Sequence, residues 1–231
     1  MLLLTPIFLV VVFGGFYWRT SLDLPAIARP LPAFAVFTLV LLSLIQLVGN
    51  QFGFDRGGFR VFVLGPAPRR DVLLGKNLAV LPVALILACP LLIVIQAAYP
   101  MRIDYLLALA PQLLSMYLLF CLVANFLSIF APMAVAAGSL KPANTRLIPV
   151  LVQLFFMSLI PIVWAPTLLP LGIEFALETL ELVQRMPVCL ALTVLECTAI
   201  VCVYRCVLTW QGNLLQAREQ SILETVTTKA E

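Results

Sequence analysis

From Leu78 to Ala98 the chain runs 21 residues without one charged side chain, and several other stretches are similarly apolar. A helix of that length crosses a bilayer core of about 30 Å, where every backbone N–H and C=O has to be bonded within its own segment. The composition points the same way. Of 231 residues, 63% are hydrophobic and 11% charged, against roughly 45–50% and about 25% in soluble domains. The 14 basic and 11 acidic side chains are too few to solvate a water-soluble particle of this size. The expected fold is all-α, a polytopic integral membrane protein with about six transmembrane helices.

The spans are expected at about 1–17, 33–48, 78–98, 105–130, 147–164 and 188–210, giving a transmembrane domain over 1–210 and a cytoplasmic tail over 211–231. Ala26-Ile27-Ala28 resembles a signal-peptidase site, but the first apolar run lacks a basic leader and ends well before it, so a retained helix is favoured. A chain that opens inside the membrane also fits the tail of a longer protein. Between the last two spans, Glu174, Glu178, Glu181 and Arg185 share one helical face and Ala176, Leu177, Leu180 and Val183 the other. An outer amphipathic helix is expected over 173–186, either as an interfacial connector or as a substrate contact.

Lysine and arginine asymmetry sets the expected orientation. One set of loops holds Arg56, Arg60, Arg69, Arg70, Lys76, Lys141, Arg146, Arg218 and Lys229; the opposite set holds Arg19, Arg29, Arg102 and Arg185. The richer side is expected to be cytoplasmic, with both termini inside, in what is expected to be a bacterial inner (plasma) membrane.

Several chemistries are excluded. With no histidine in the chain, there is no triad base and no imidazole ligand. Cys89, Cys121, Cys189, Cys197, Cys202 and Cys206 lie in apolar runs with no C-x-x-C pair, and are read as small buried hydrophobes. No clustered carboxylates and no activated serine stand out, so no catalytic residue, metal ligand or cofactor is assigned. A net charge of +3 makes no case for nucleic acid.

The stretch 49–77 is too polar to span and too apolar for a free linker. Gly57 and Gly58 permit a change of direction, Phe59 to Leu64 fits a short helix, and Gly65-Pro66-Ala67-Pro68 stops it before a new helix begins at Arg69 and Arg70. Phenylalanines beside arginines suit either a headgroup boundary or a groove on a soluble partner. Gly75-Lys76 is no phosphate loop, because Arg70 stands where a Walker A motif needs glycine and Asn77 where it needs Ser or Thr.

The residues Asn50-x-Phe52-Gly53-x-Asp55-Arg56-x-Gly58-Phe59, then Leu64-x-Pro66-x-Pro68-Arg69-Arg70 and Leu74-Gly75-Lys76-Asn77-Leu78-Ala79, resemble the inner loop of type-2 ATP-binding-cassette (ABC) exporter permeases. A weaker echo is Asn125-Phe126-Leu127-Ser128-Ile129-Phe130-Ala131-Pro132. In that family the loop between the second and third membrane helices forms a coupling helix that touches the ATPase subunit. The resemblance implies a permease half without an ATPase of its own, coupled through Phe59, Arg60, Phe62, Pro66, Arg69, Arg70, Gly75 and Lys76. The implied partners are a cytosolic ABC ATPase subunit, a second permease half (homodimer or heterodimer) and membrane lipid. The family pattern usually includes a cytosolic segment before the first helix, so a truncated or split permease stays open.

Two polar positions inside the spans are singled out. Glu196 is the one acid deep in a span, where an ionised group costs at least roughly 2.5–3.5 kcal/mol. Asn125, with Gln46, Gln112 and Gln153, is expected to bond between helices. Rival readings are an ion-coupled secondary transporter, for which Glu196 would be essential, and a non-transporting membrane scaffold.

Overall fold

The computed structural model describes residues 24–136, 147–181 and 187–227; the span expected at about 1–17 lies outside them, as do Arg19, Lys141, Arg146, Arg185 and Lys229. Among the described residues the regular structure is helical, with no β-strand. The helices are α1 (Pro30–Val48), α2 (Gln51–Asp55), α3 (Phe59–Leu64), α4 (Arg69–Ala98), α5 (Ile103–Phe130), α6 (Leu147–Trp164), α7 (Leu169–Thr179) and α8 (Val188–Thr227). Five segments among the described residues, Ala26–Val48, Arg69–Ala98, Ile103–Phe130, Leu147–Thr179 and Val188–Thr227, are long and apolar enough to cross a membrane. The protein is an all-α polytopic integral membrane protein.

Proline inside α4 (Pro82, Pro90), α5 (Pro111) and α6 (Pro161) fits that setting. Membrane helices tolerate such prolines because neighbouring groups can re-satisfy the carbonyl four residues earlier, which the missing N–H leaves free. Three of the cysteines, Cys89, Cys202 and Cys206, are exposed rather than buried; Cys121, Cys189 and Cys197 are buried. The correction is mild in physical terms, since a small apolar thiol suits a lipid-facing surface as well as a core.

The chain divides into two compact units. The first takes residues 24–44, 82–117, 164–181 and 187–201. Its core gathers Ala33, Met101, Tyr105, Ala108, Leu109, Leu171 and Cys189. Polar closure comes from Gln112, which donates to the Thr167 carbonyl at 2.8 Å, and from the Trp164 indole, which donates to the Met116 carbonyl at 3.1 Å. Glu174 corrects the expected amphipathic faces. It is 1% exposed, accepts from the Tyr105 hydroxyl at 2.7 Å and from the Cys189 backbone N–H, while Ile173, Phe175 and Leu180 stand outward. Two donors fixed at that place hold the carboxylate inward, whereas a face drawn from periodicity counts the residue as surface. Helix α7 ends at Thr179, with Glu181 in the left-handed conformation (φ 56°).

The second unit takes residues 45–81, 118–136, 147–163 and 202–227. Here α8 buries Tyr204, Leu208, Gln211, Leu215, Ile222 and Val226, a one-sided stripe at helical spacing. The stripe explains why the helix runs on past Trp210, where the apolar run stops. Burying one face suffices to keep a helix going.

Candidate partner-docking site

The site is the segment 49–77, and its sequence folds by a series of local ties. Asn50 uses both ends of its amide on one residue: Nδ2 donates to the Met133 carbonyl at 2.9 Å, and the Met133 N–H donates to Oδ1 at 2.8 Å. Gly53 lies against this clamp so closely that a Cβ there would sit 2.1 Å from the Met133 oxygen. Phe52 is fully buried and packs on Phe59, with ring centroids 5.1 Å apart.

The chain then turns at Arg56, which holds φ 50°, with its guanidinium donating to the Ala136 carbonyl. The sequence placed the turn on Gly57 and Gly58, yet those stand in open space and Gly58 has ordinary helical angles. An arginine tolerates the rarely populated region because its long side chain reaches an anchor that glycine lacks.

Helix α3 is only six residues long, too short to persist unaided. Two devices hold it. Phe59, 1% exposed, plugs its first turn into the unit. At its other end Arg69 collects the loose carbonyls of Val63 (3.0 Å) and Ala67 (3.1 Å) and pairs with Glu219 at 2.8 Å through Nε. A cation gathering carbonyls at a helix C-terminus also meets the negative end of its dipole. The start of α4 sits hard against α8, since a Cβ on Gly212 would lie 2.7 Å from the Arg70 nitrogen.

Lys76 is held inward too. Its ammonium lies 2.8 and 2.6 Å from the two Asp55 carboxylate oxygens and 5.6 and 5.2 Å from the Phe52 and Phe62 ring centroids. Burial holds the Asp55 carboxyl above its ordinary pKa of 3.8, and the bond from Lys76 offsets only part of this. For an acid raised in this way, the stability contribution is present below the unfolded value and lost as pH rises through the folded one. Asp55→Asn removes this pH-dependent contribution together with the partner of Lys76, so its melting temperature relative to the parent's is expected to be higher at pH 7 than at pH 4. A thermal melt series in detergent checks this, and a variant that loses ground to the parent as the pH rises from 4 to 7 contradicts it.

The eight residues assigned from sequence thus separate. Phe59, Arg69 and Lys76 serve the interior, and Phe62 is half-buried. Arg60, Pro66, Arg70 and Gly75 face outward, Arg70 beside Asp71 at 3.3 Å. Two outward residues escape the sequence reading: Val61 is 71% exposed and Leu64 is 86% exposed. They lie one helical turn apart on α3, with Arg60 between the buried Phe59 and Val61. The surface so formed is a firmly seated, apolar and basic knob.

Asn125 is a junction of the same unit. Its Oδ1 accepts from Gln51 at 3.0 Å and its Nδ2 donates to Gln211 at 3.1 Å, while Gln211 donates on to the Leu122 carbonyl at 2.7 Å. Neither Gln51 nor Gln211 is picked out by sequence, because each sits at the edge of an apolar run. Gln46 and Gln153 make no side-chain hydrogen bond with another described residue, whereas Gln112 does. In the first unit, both carboxylate oxygens of Glu196 are buried without a hydrogen-bond partner among the described residues. No family model, curated protein or solved structure matches the chain. What the knob offers chemically is recognition: apolar contact flanked by positive charge, with no nucleophile or general base in it.

Proposed function

We propose that this chain is a membrane-spanning permease half of an ATP-driven ABC exporter, docking a separate cytosolic ATPase through the 49–77 segment. The observation that carries the reading is the knob on α3. Its buried side is locked by Phe59 and Arg69, and its free side presents Val61 and Leu64 between Arg60 and Arg70. A loop that only joins two spans has no need of a caged helix, and exposed apolar residues rimmed by charge are the usual mark of a protein contact. The fixed seat matters to the mechanism. Force delivered to the knob passes into α4 and α8 through the Arg69–Glu219 pair rather than being lost in a slack linker.

In this reading two such halves form the pathway, the knob lies on the cytoplasmic side, and energy enters from the ATPase. The test is gentle purification of the tagged chain from cells that also express an ATPase encoded nearby. Co-purification, with ATP hydrolysis that depends on the permease, is the expected result. Gradient-driven movement of cargo by the purified chain alone, lost in Glu196→Gln, would contradict it and favour an ion-coupled carrier.

A further inference from the structure

Another feature of the second unit is independent of any ATPase. Phe130, Leu151, Val152, Phe155, Phe156 and Arg218 line a shallow groove of about 540 Å³, within the roughly 300–1,000 Å³ of ligand clefts. One wall is an aromatic stack. Phe126 lies 6.3 Å from Phe130, 6.4 Å from Phe156 and 5.3 Å from Trp210, ring centroid to centroid. The other wall belongs to α6, whose Leu151 and Phe155 face outward from an uncharged membrane-spanning helix.

At the rim sits one cation. The Arg218 guanidinium lies 4.7 Å over the Phe130 ring and pairs with no carboxylate among the described residues. Its neighbour Glu219 is already engaged by Arg69. A guanidinium carries five N–H donors, and the contact with the ring uses none of them. Arg218 stands eight residues beyond Trp210 on α8, about 12 Å along the helix axis. Tryptophan favours the membrane–water boundary, so Arg218 stands on the aqueous side of that level, where its long side chain can reach back toward the headgroups.

We infer that this groove is a binding site for an anionic phospholipid, one acyl chain lying against Leu151, Phe155 and Phe156 and the phosphate held by Arg218. A planar fork of unspent donors matches phosphate oxygens. An uncompensated positive charge selects an anionic headgroup over a zwitterionic one, and the apolar walls demand a chain, which a soluble phosphate lacks.

The test is native mass spectrometry of the full chain in mild detergent with equal amounts of phosphatidylglycerol and phosphatidylcholine. One well-placed basic residue contributes about 1 kcal/mol, so the parent is expected to retain the anionic lipid roughly fivefold over the neutral one. Arg218→Gln is expected to bring that ratio near one. Arg205→Gln, which removes an exposed cation elsewhere on α8, is expected to leave the ratio unchanged. Phe155→Ser changes an outward side chain and spares the core, and is expected to lower retention of both lipids several-fold at an unchanged ratio. No preference in the parent, equal loss in Arg205→Gln and Arg218→Gln, or full displacement by inorganic phosphate overturns the site.

Discussion

Aspartate at both Val61 and Leu64 is expected to weaken capture of the proposed ATPase partner by at least about a hundredfold while the chain still inserts and folds. Their exposure of 71% and 86% means that neither side chain contributes to the core of this unit. In a complex they would be the apolar centre of the contact. Such anchors are commonly worth 2 kcal/mol or more each, and a buried carboxylate adds a desolvation cost. The comparison variant is Phe59→Asp, which places a charge in a fully buried position and should fail at folding rather than at docking. Titration of the detergent-solubilised chain with the ATPase measures the first, and size-exclusion behaviour separates the two. An undiminished affinity for the double aspartate variant would remove α3 from the interface.

Arg69→Ala is expected to destabilise the protein by about 3 kcal/mol, the lower end of the roughly 3–5 kcal/mol for breaking a buried pair from one side. The side chains of Arg69 and Glu219 are 11% and 20% exposed, and removal of the arginine also frees the Val63 and Ala67 carbonyls at the end of α3. Arg70→Ala, one residue on, is expected to stay within about 0.5 kcal/mol, because its head is in solvent beside Asp71. Thermal melts of both variants, with Glu219→Gln closing a double-mutant cycle, give the comparison. Equal losses at 69 and 70 would contradict the division of labour between them.

The architecture was legible because lipid imposes a strong rule: a long apolar run has to be a helix, and the runs stand clear in the sequence. Boundaries were less legible where another physics took over. Helix α8 continues to Thr227 because Leu215, Ile222 and Val226 keep one face covered, although the sequence there is polar on average. Glu174 was assigned to a wet face and is buried, since the Tyr105 hydroxyl that satisfies it lies 69 residues away in the chain. Arg69 and Arg70 are indistinguishable as letters, and a residue 150 positions distant decides which one is structural. Val61 and Leu64 went unnoticed because six residues are too few for a periodicity to show which face is covered. The turn at Arg56 was hidden by two adjacent glycines that look better suited to it.

The most direct measurement places a photo-crosslinking amino acid at position 64 in intact cells. The proposed function predicts a specific adduct with a soluble nucleotide-hydrolysing protein, formed from the cytoplasmic side and lost when Val61 is changed to aspartate. Adducts with lipid alone, or labelling of position 64 only by reagents applied outside the cell, would contradict it.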